Sequence, residues 1–136
     1  MAPATRTKKG SSKSPSLLYV VTLKDAPADK AYIKLGKCTA SPWRRFRYGS
    51  LSKIITPRGY KKQVADTDNL KVLGCFSFPT KSDVDIHRIE RLFHKTHRET
   101  ARCGEWYPAK SIHDMRRFLV RFGARTCRVP RKPRHR

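Results

Sequence analysis

The chain concentrates its chemically useful side chains between Ile86 and His97. On a helix turning about 100° per residue, His87, Glu90, His94 and His97 fall within roughly 80° of one another. Ile86, Ile89 and Phe93 form the neighbouring apolar stripe. One carboxylate and three imidazoles therefore line the margin of a buried face. Around them the protein carries 32 Lys and Arg against 10 Asp and Glu. A carboxylate held at the edge of a core, inside so basic a chain, points to a site that handles a metal ion or a phosphate.

The formal charge of +22 is far more than solubility requires. Its simplest physical meaning is a polyanion partner, because each Lys or Arg that neutralises a phosphate releases condensed counterions. Nucleic acid is the expected partner, DNA ahead of RNA, with a larger nucleoprotein assembly as its setting. A membrane partner is not expected, since no lipidation motif or clean basic amphipathic helix is present. Cys38, Cys75, Cys103 and Cys127 are spread singly, which gives no disulfide framework. His94, His97 and Cys103 fit no strong zinc-finger spacing, so free thiols are the expectation. There is no signal peptide, and no apolar run is long enough to span a bilayer. The expected location is intracellular and reducing, in a nucleus or a viral or nucleoid compartment, and not secreted.

The elements that must position these groups are short and well punctuated. Residues 1–15 read as a disordered basic arm, 16–123 as one domain, and 124–136 as a basic tail kept extended by Pro130 and Pro133. Leu17 to Leu23 is an apolar run of strand length, and Ala31 to Cys38 returns from a turn as its hairpin partner. Ser41-Pro42 starts a helix that carries Trp43 to Tyr48 and ends near Gly49. Residues 50–70 form a basic, weakly periodic connection, and Lys71 to Phe78 is a third strand closed by Pro79. Ser82-Asp83 opens the His/Glu helix, expected to end near Arg98 to Arg102. Pro108 opens a last helix with Ile112, Met115, Phe118, Leu119 and Phe122 at helical spacing, stopped by Gly123. The expected fold is α/β in the α+β sense: a small three-stranded sheet flanked by helices, in the order β-β-α-β-α-α.

Four pieces then stand in sequence: Leu18-Tyr19-Val20 in the first strand, Lys34-Leu35-Gly36-Lys37 in the second, an Arg in the next helix, and Glu90-Arg-Leu-Phe-His94 later. Gly104-Glu105-Trp106-Tyr107 follows. Together they resemble the GIY-YIG nuclease superfamily, and most closely its branch in phages and large DNA viruses. That branch has K-[IV]-G-K as second half-motif, an E-x-x-x-H helix and a G-E-W-[FY] turn. The resemblance covers residues 17–122.

The resemblance implies a DNA endonuclease using one divalent metal, Mg²⁺ or Mn²⁺, held by Glu90. The metal would act as Lewis acid on the scissile phosphate. Tyr19 would orient or deprotonate the attacking water, and Arg44 or Arg45 would stabilise the developing charge. Counting eight residues on from Gly36 selects Arg44; anchoring on Pro42 and Phe46 selects Arg45. Lys34 departs from the pattern, because it stands where nucleases carry a second Tyr. As an ammonium it can contact phosphate or depress the Tyr19 pKa, but it cannot take a proton from water. A non-catalytic, basic nucleic-acid-binding protein of a virion, nucleoid or ribonucleoprotein on the same fold is therefore the rival expectation. Phosphate contacts are expected from Lys37, Arg47, Tyr48, Lys53, Arg58, Lys61, Lys62 and His94, whereas Glu105 is either a second acid near the site or, the favoured reading, neutralises Arg102 on the surface.

Overall fold

The computed structural model describes residues 16–24, 31–46 and 67–132. The N-terminal arm, most of the 50–70 connection, Gly49, Arg47, Tyr48, Lys53, Arg58, Lys61 and Lys62 lie outside the described residues, as do the side chains of Arg44 and Arg45. In chain order the elements are β1 (Ser16–Leu23), β2 (Tyr32–Thr39), α1 (Pro42–Phe46), β3 (Leu70–Ser77), α2 (Asp83–Thr96), β4 (Trp106–Pro108), α3 (Ile112–Arg121) and β5 (Arg125–Cys127). Short 3-10 turns at Thr67–Asn69 and Ala109–Ser111 lead into β3 and α3.

β1 is the middle strand of the sheet and is buried on both faces, which explains why its sequence is apolar without alternation. On one face Leu17, Tyr19, Val21 and Leu23 pack with Trp43, Phe46 and Trp106. On the other, Leu18 and Val20 join Ile33, Leu35, Ile86, Ile89, Phe93, Met115 and Leu119 beneath α2 and α3. α1 is capped as its sequence requires: the Trp43 backbone N–H donates to Ser41 Oγ at 3.2 Å. Ser82 does the same for α2, accepting from the Asp85 N–H at 3.2 Å. Gly123 at φ +96 ends α3 in the left-handed conformation.

The expected three-stranded sheet in the order β-β-α-β-α-α is corrected by the structure. The sheet has five strands in the order β4-β2-β1-β3-β5, each paired antiparallel with its neighbour. β4 and β5 have three residues each, too few for a period-two pattern to emerge. Pro108 both ends β4 and caps the 3-10 turn Ala109–Ser111 that leads into α3, so the helix itself begins at Ile112. Arg125–Cys127, within the stretch read as tail, pairs with Ser77–Cys75 of β3. Beyond it, the Pro130 carbonyl accepts from Trp43 Nε1 at 2.8 Å, which ties the chain down over α1. α2 ends at Thr96, short of the expected Arg98, with the His97 N–H bonded back to the Phe93 carbonyl. All four cysteines are free thiols. Among the described residues, no helix is long and apolar enough to cross a membrane.

Candidate metal centre at the edge of the sheet

β4 pairs with β2 only as far as Lys34 opposite Trp106. The next carbonyl, that of Leu35, lies past the end of β4 and needs donors from elsewhere. It receives two: His94 Nε2 at 3.0 Å and Lys34 Nζ at 3.3 Å. A carbonyl only accepts, so the His94 proton sits on Nε2. In the neutral ring Nδ1 then accepts from the Tyr107 hydroxyl, 2.9 Å away. Burial, with the Glu105 charge beside it and against the pull of Arg91, pushes the Tyr107 phenol up to about 12, so it stays a donor. The two rings stack, with centroids 5.7 Å apart.

Glu90 stands one helical turn before His94, and its side chain is only 9% exposed. Among the described residues its nearest imidazole nitrogens are both at 3.7 Å: His87 Nδ1 to Oε1 and His94 Nε2 to Oε2. These are ion-pair distances, too long for hydrogen bonds. A buried carboxylate so weakly satisfied is unfavourable unless something else supplies positive charge.

Glu105 completes the cluster from the turn between α2 and β4, where Gly104 takes φ +54. Its Oε1 lies 3.4 Å from Lys34 Nζ and 3.5 Å from His94 Nε2, and its Oε2 accepts from Arg91 at 2.5 Å. Burial acts to raise the Glu105 carboxyl, but the Arg91 hydrogen bond and the positive electrostatic pull of Lys34, the His94 N–H and Arg91 outweigh it and hold the group below the usual carboxylate range. A depressed folded pKa contributes stability that is present above the unfolded value and lost as pH falls through the folded one. The melting temperature of wild type is therefore expected to exceed that of Glu105→Gln near pH 7 without metal, and the gap should close as pH falls below about 4, near the unfolded value for glutamate. A gap independent of pH would mean that the ion pairs with Lys34 and Arg91 are not formed in solution.

One ligand atom each from Glu90, His94 and Glu105 lies within 4.8 Å of the others. The chemistry of the donors selects among them. His94 Nε2 is committed to Leu35 and Nδ1 to Tyr107, whereas both carboxylates keep oxygen lone pairs. An all-oxygen set with one carboxylate short of donors fits a hard divalent cation such as Mg²⁺ or Mn²⁺.

The structure brings Lys34 and Glu90 into one cluster and leaves Tyr19 beside it. Tyr19 is 1% exposed, belongs to the Trp43–Phe46 layer, and lies over Gly36 on the sheet face opposite α2. His94 is buried, which sets it apart from the surface phosphate contact expected of it. Lys37 pairs with Asp83 at 2.9 Å. Glu105 pairs with Lys34 and Arg91, not with Arg102, whose guanidinium donates to the Thr100 carbonyl. Arg91 and Tyr107 are the members that sequence reasoning did not assign to the site. Comparisons with family models, with curated proteins and with solved structures found no match to this chain.

Proposed function

We propose that this protein binds nucleic acid and cleaves its phosphodiester backbone using a divalent cation held by Glu90 and Glu105. The observation that carries the reading is Glu90: a buried carboxylate, without a hydrogen-bond donor among the described residues, placed beside a second carboxylate. A divalent cation there would polarise a scissile phosphate and offset charge on the leaving oxygen. Lys34 and Arg91 stand next to the same carboxylates and offer their charge to phosphate oxygens. His94, fixed by Leu35 and Tyr107, keeps α2 in register with the edge of β2. His87 is the exposed imidazole beside Glu90 and is placed to pass a proton to or from water. The order of the GIY, K-[IV]-G-K, E-x-x-x-H and G-E-W-[FY] fragments supports the same chemistry, with Arg44 or Arg45 as a further cation.

A specific observation favours the second reading, a non-catalytic binding protein of a virion, nucleoid or ribonucleoprotein. The Tyr19 phenol is sealed in the core and the Lys34 ammonium is held by Glu105 and Leu35, so neither meets solvent water in this state.

Purified protein incubated with Mg²⁺ or Mn²⁺ and with duplex, single-stranded and branched DNA separates the two readings. Metal-dependent nicking is expected, and His87→Ala should reduce its rate about a hundredfold, the lower end for loss of a general acid or base, with binding retained. Binding without nicking of any substrate in either metal would leave the second reading in place.

A further inference from the structure

Helix α2 and the turn that follows it carry a second set of charges, outward of the carboxylate cluster. Arg91, Lys95 and Arg98 are exposed and follow one another at spacings of four and three residues, so they form a single row. Arg91 is aimed by its bond to Glu105. Lys95 and Arg98 have no carboxylate partner among the described residues. The row forms one wall of an open depression of about 410 Å³, whose other wall is Gly104, Glu105 and Tyr107, with His94 at its floor. The depression thus runs from these cations to Glu105 and His94, the members of the carboxylate cluster that line it. The cations of α3 are placed differently: Arg117 is paired with Asp114 at 2.6 Å, and Arg116 and Arg121 line no part of this depression.

We propose that the Arg91–Lys95–Arg98 row is the track that seats the phosphate backbone of a nucleic-acid strand and leads it to Glu105, at the near side of the proposed metal centre. This rests on the reading of nucleic acid as the partner. Arg91 to Lys95 rises about 6 Å along α2, Arg98 stands in the turn just beyond it, and a strand of duplex carries a phosphate about every 3.4 Å of axis, so the cations face about two to three phosphates. Contacts of this kind carry no base information, so the seating is independent of sequence.

Equilibrium binding in EDTA, measured by fluorescence anisotropy against salt concentration, tests the track apart from cleavage. Fluorescent DNA duplexes of two unrelated sequences, the matching single strands and inorganic polyphosphate are the probes. Lys95→Ala/Arg98→Ala is expected to flatten the slope of log K against log salt by about 1.8 on duplex, at about 0.9 per phosphate contact, and by about 1.4 on single strands, at about 0.7 each. The same loss is expected for both duplex sequences, and a flatter slope on polyphosphate as well, since the contacts are to phosphate alone. Arg116→Ala/Arg121→Ala on α3 should leave the slopes as in wild type. An unchanged slope in the Lys95/Arg98 variant, or equal flattening by both pairs, would overturn the track while leaving nucleic acid as partner. Wild type that fails to bind either duplex or single strands would overturn the partner as well.

Discussion

Replacing Glu90 by methionine is expected to raise the melting temperature of the metal-free protein by about 5 °C and to remove metal-dependent cleavage. The first effect follows from burial. The Glu90 side chain is 9% exposed and, among the described residues, its ion-pair partners are the two imidazoles at 3.7 Å, beyond hydrogen-bond range, so the protein itself offsets little of its desolvation. Buried ionic groups replaced by apolar residues of similar volume are often neutral or stabilised by about 1–4 kcal/mol, and about 1 kcal/mol shifts a domain of this size by roughly 5 °C. Methionine is unbranched and fills the same space against Ile86 and Phe93. The second effect follows from the metal: losing several kcal/mol of charge stabilisation lowers the rate about a thousandfold or more. Thermal melts with and without Mn²⁺ check both halves. Wild type should gain stability with metal, by linkage to the folded state, and the methionine variant should not. A variant that melts below wild type in EDTA would show that the carboxylate is already satisfied by His87 and His94, and the argument for a cation would fall.

How far the sequence foretold this site depends on the kind of signal each residue leaves. Glu90 and His94 are readable because a four-residue spacing on an amphipathic helix fixes a shared flank, and Ser82 marks where that helix starts. β1, β2 and β3 are eight residues each, long enough for composition and turns to declare them. β4 and β5 declare nothing, because three residues carry no periodicity and their pairing is a tertiary fact. Of the two readings of Glu105, a second acid near the site and a partner of Arg102, the favoured pairing with Arg102 is the one the structure does not show. The sequence neighbours of Glu105 include Arg102, whereas the partners it actually meets, Lys34 and Arg91, are brought to it by where β4 stops along β2. Lys34 shows the same effect. Strand alternation puts it on the Tyr19 face, yet at the free edge past Trp106 its long side chain reaches the Leu35 carbonyl and Glu105.

Gly36→Ala is expected to destabilise the protein by about 2–3 kcal/mol, in the range for overpacking a filled core. Gly36 and Tyr19 are direct partners across the β1–β2 pairing. A methyl group on Gly36 would lie 2.5 Å from the Tyr19 hydroxyl and 2.6 Å from Cζ, closer than any real contact. The ring cannot simply swing aside, since it is 1% exposed and meets Phe46 edge-on at 5.2 Å. No dihedral demand contributes, because Gly36 is not among the positive-φ residues and alanine is an acceptable strand residue. The penalty is purely steric, and shrinking the other partner should relieve it. Denaturant melts of Gly36→Ala, Tyr19→Leu and the double variant should show a coupling of more than about 1 kcal/mol, the double being more stable than the sum of the singles implies. Simple additivity would mean that the phenol is not seated over Gly36. The strain also has a functional address. Gly36 follows Leu35, whose carbonyl fixes Lys34 and His94 beside the carboxylates, so Gly36→Ala should weaken the stabilisation by Mn²⁺ even though no metal ligand has changed.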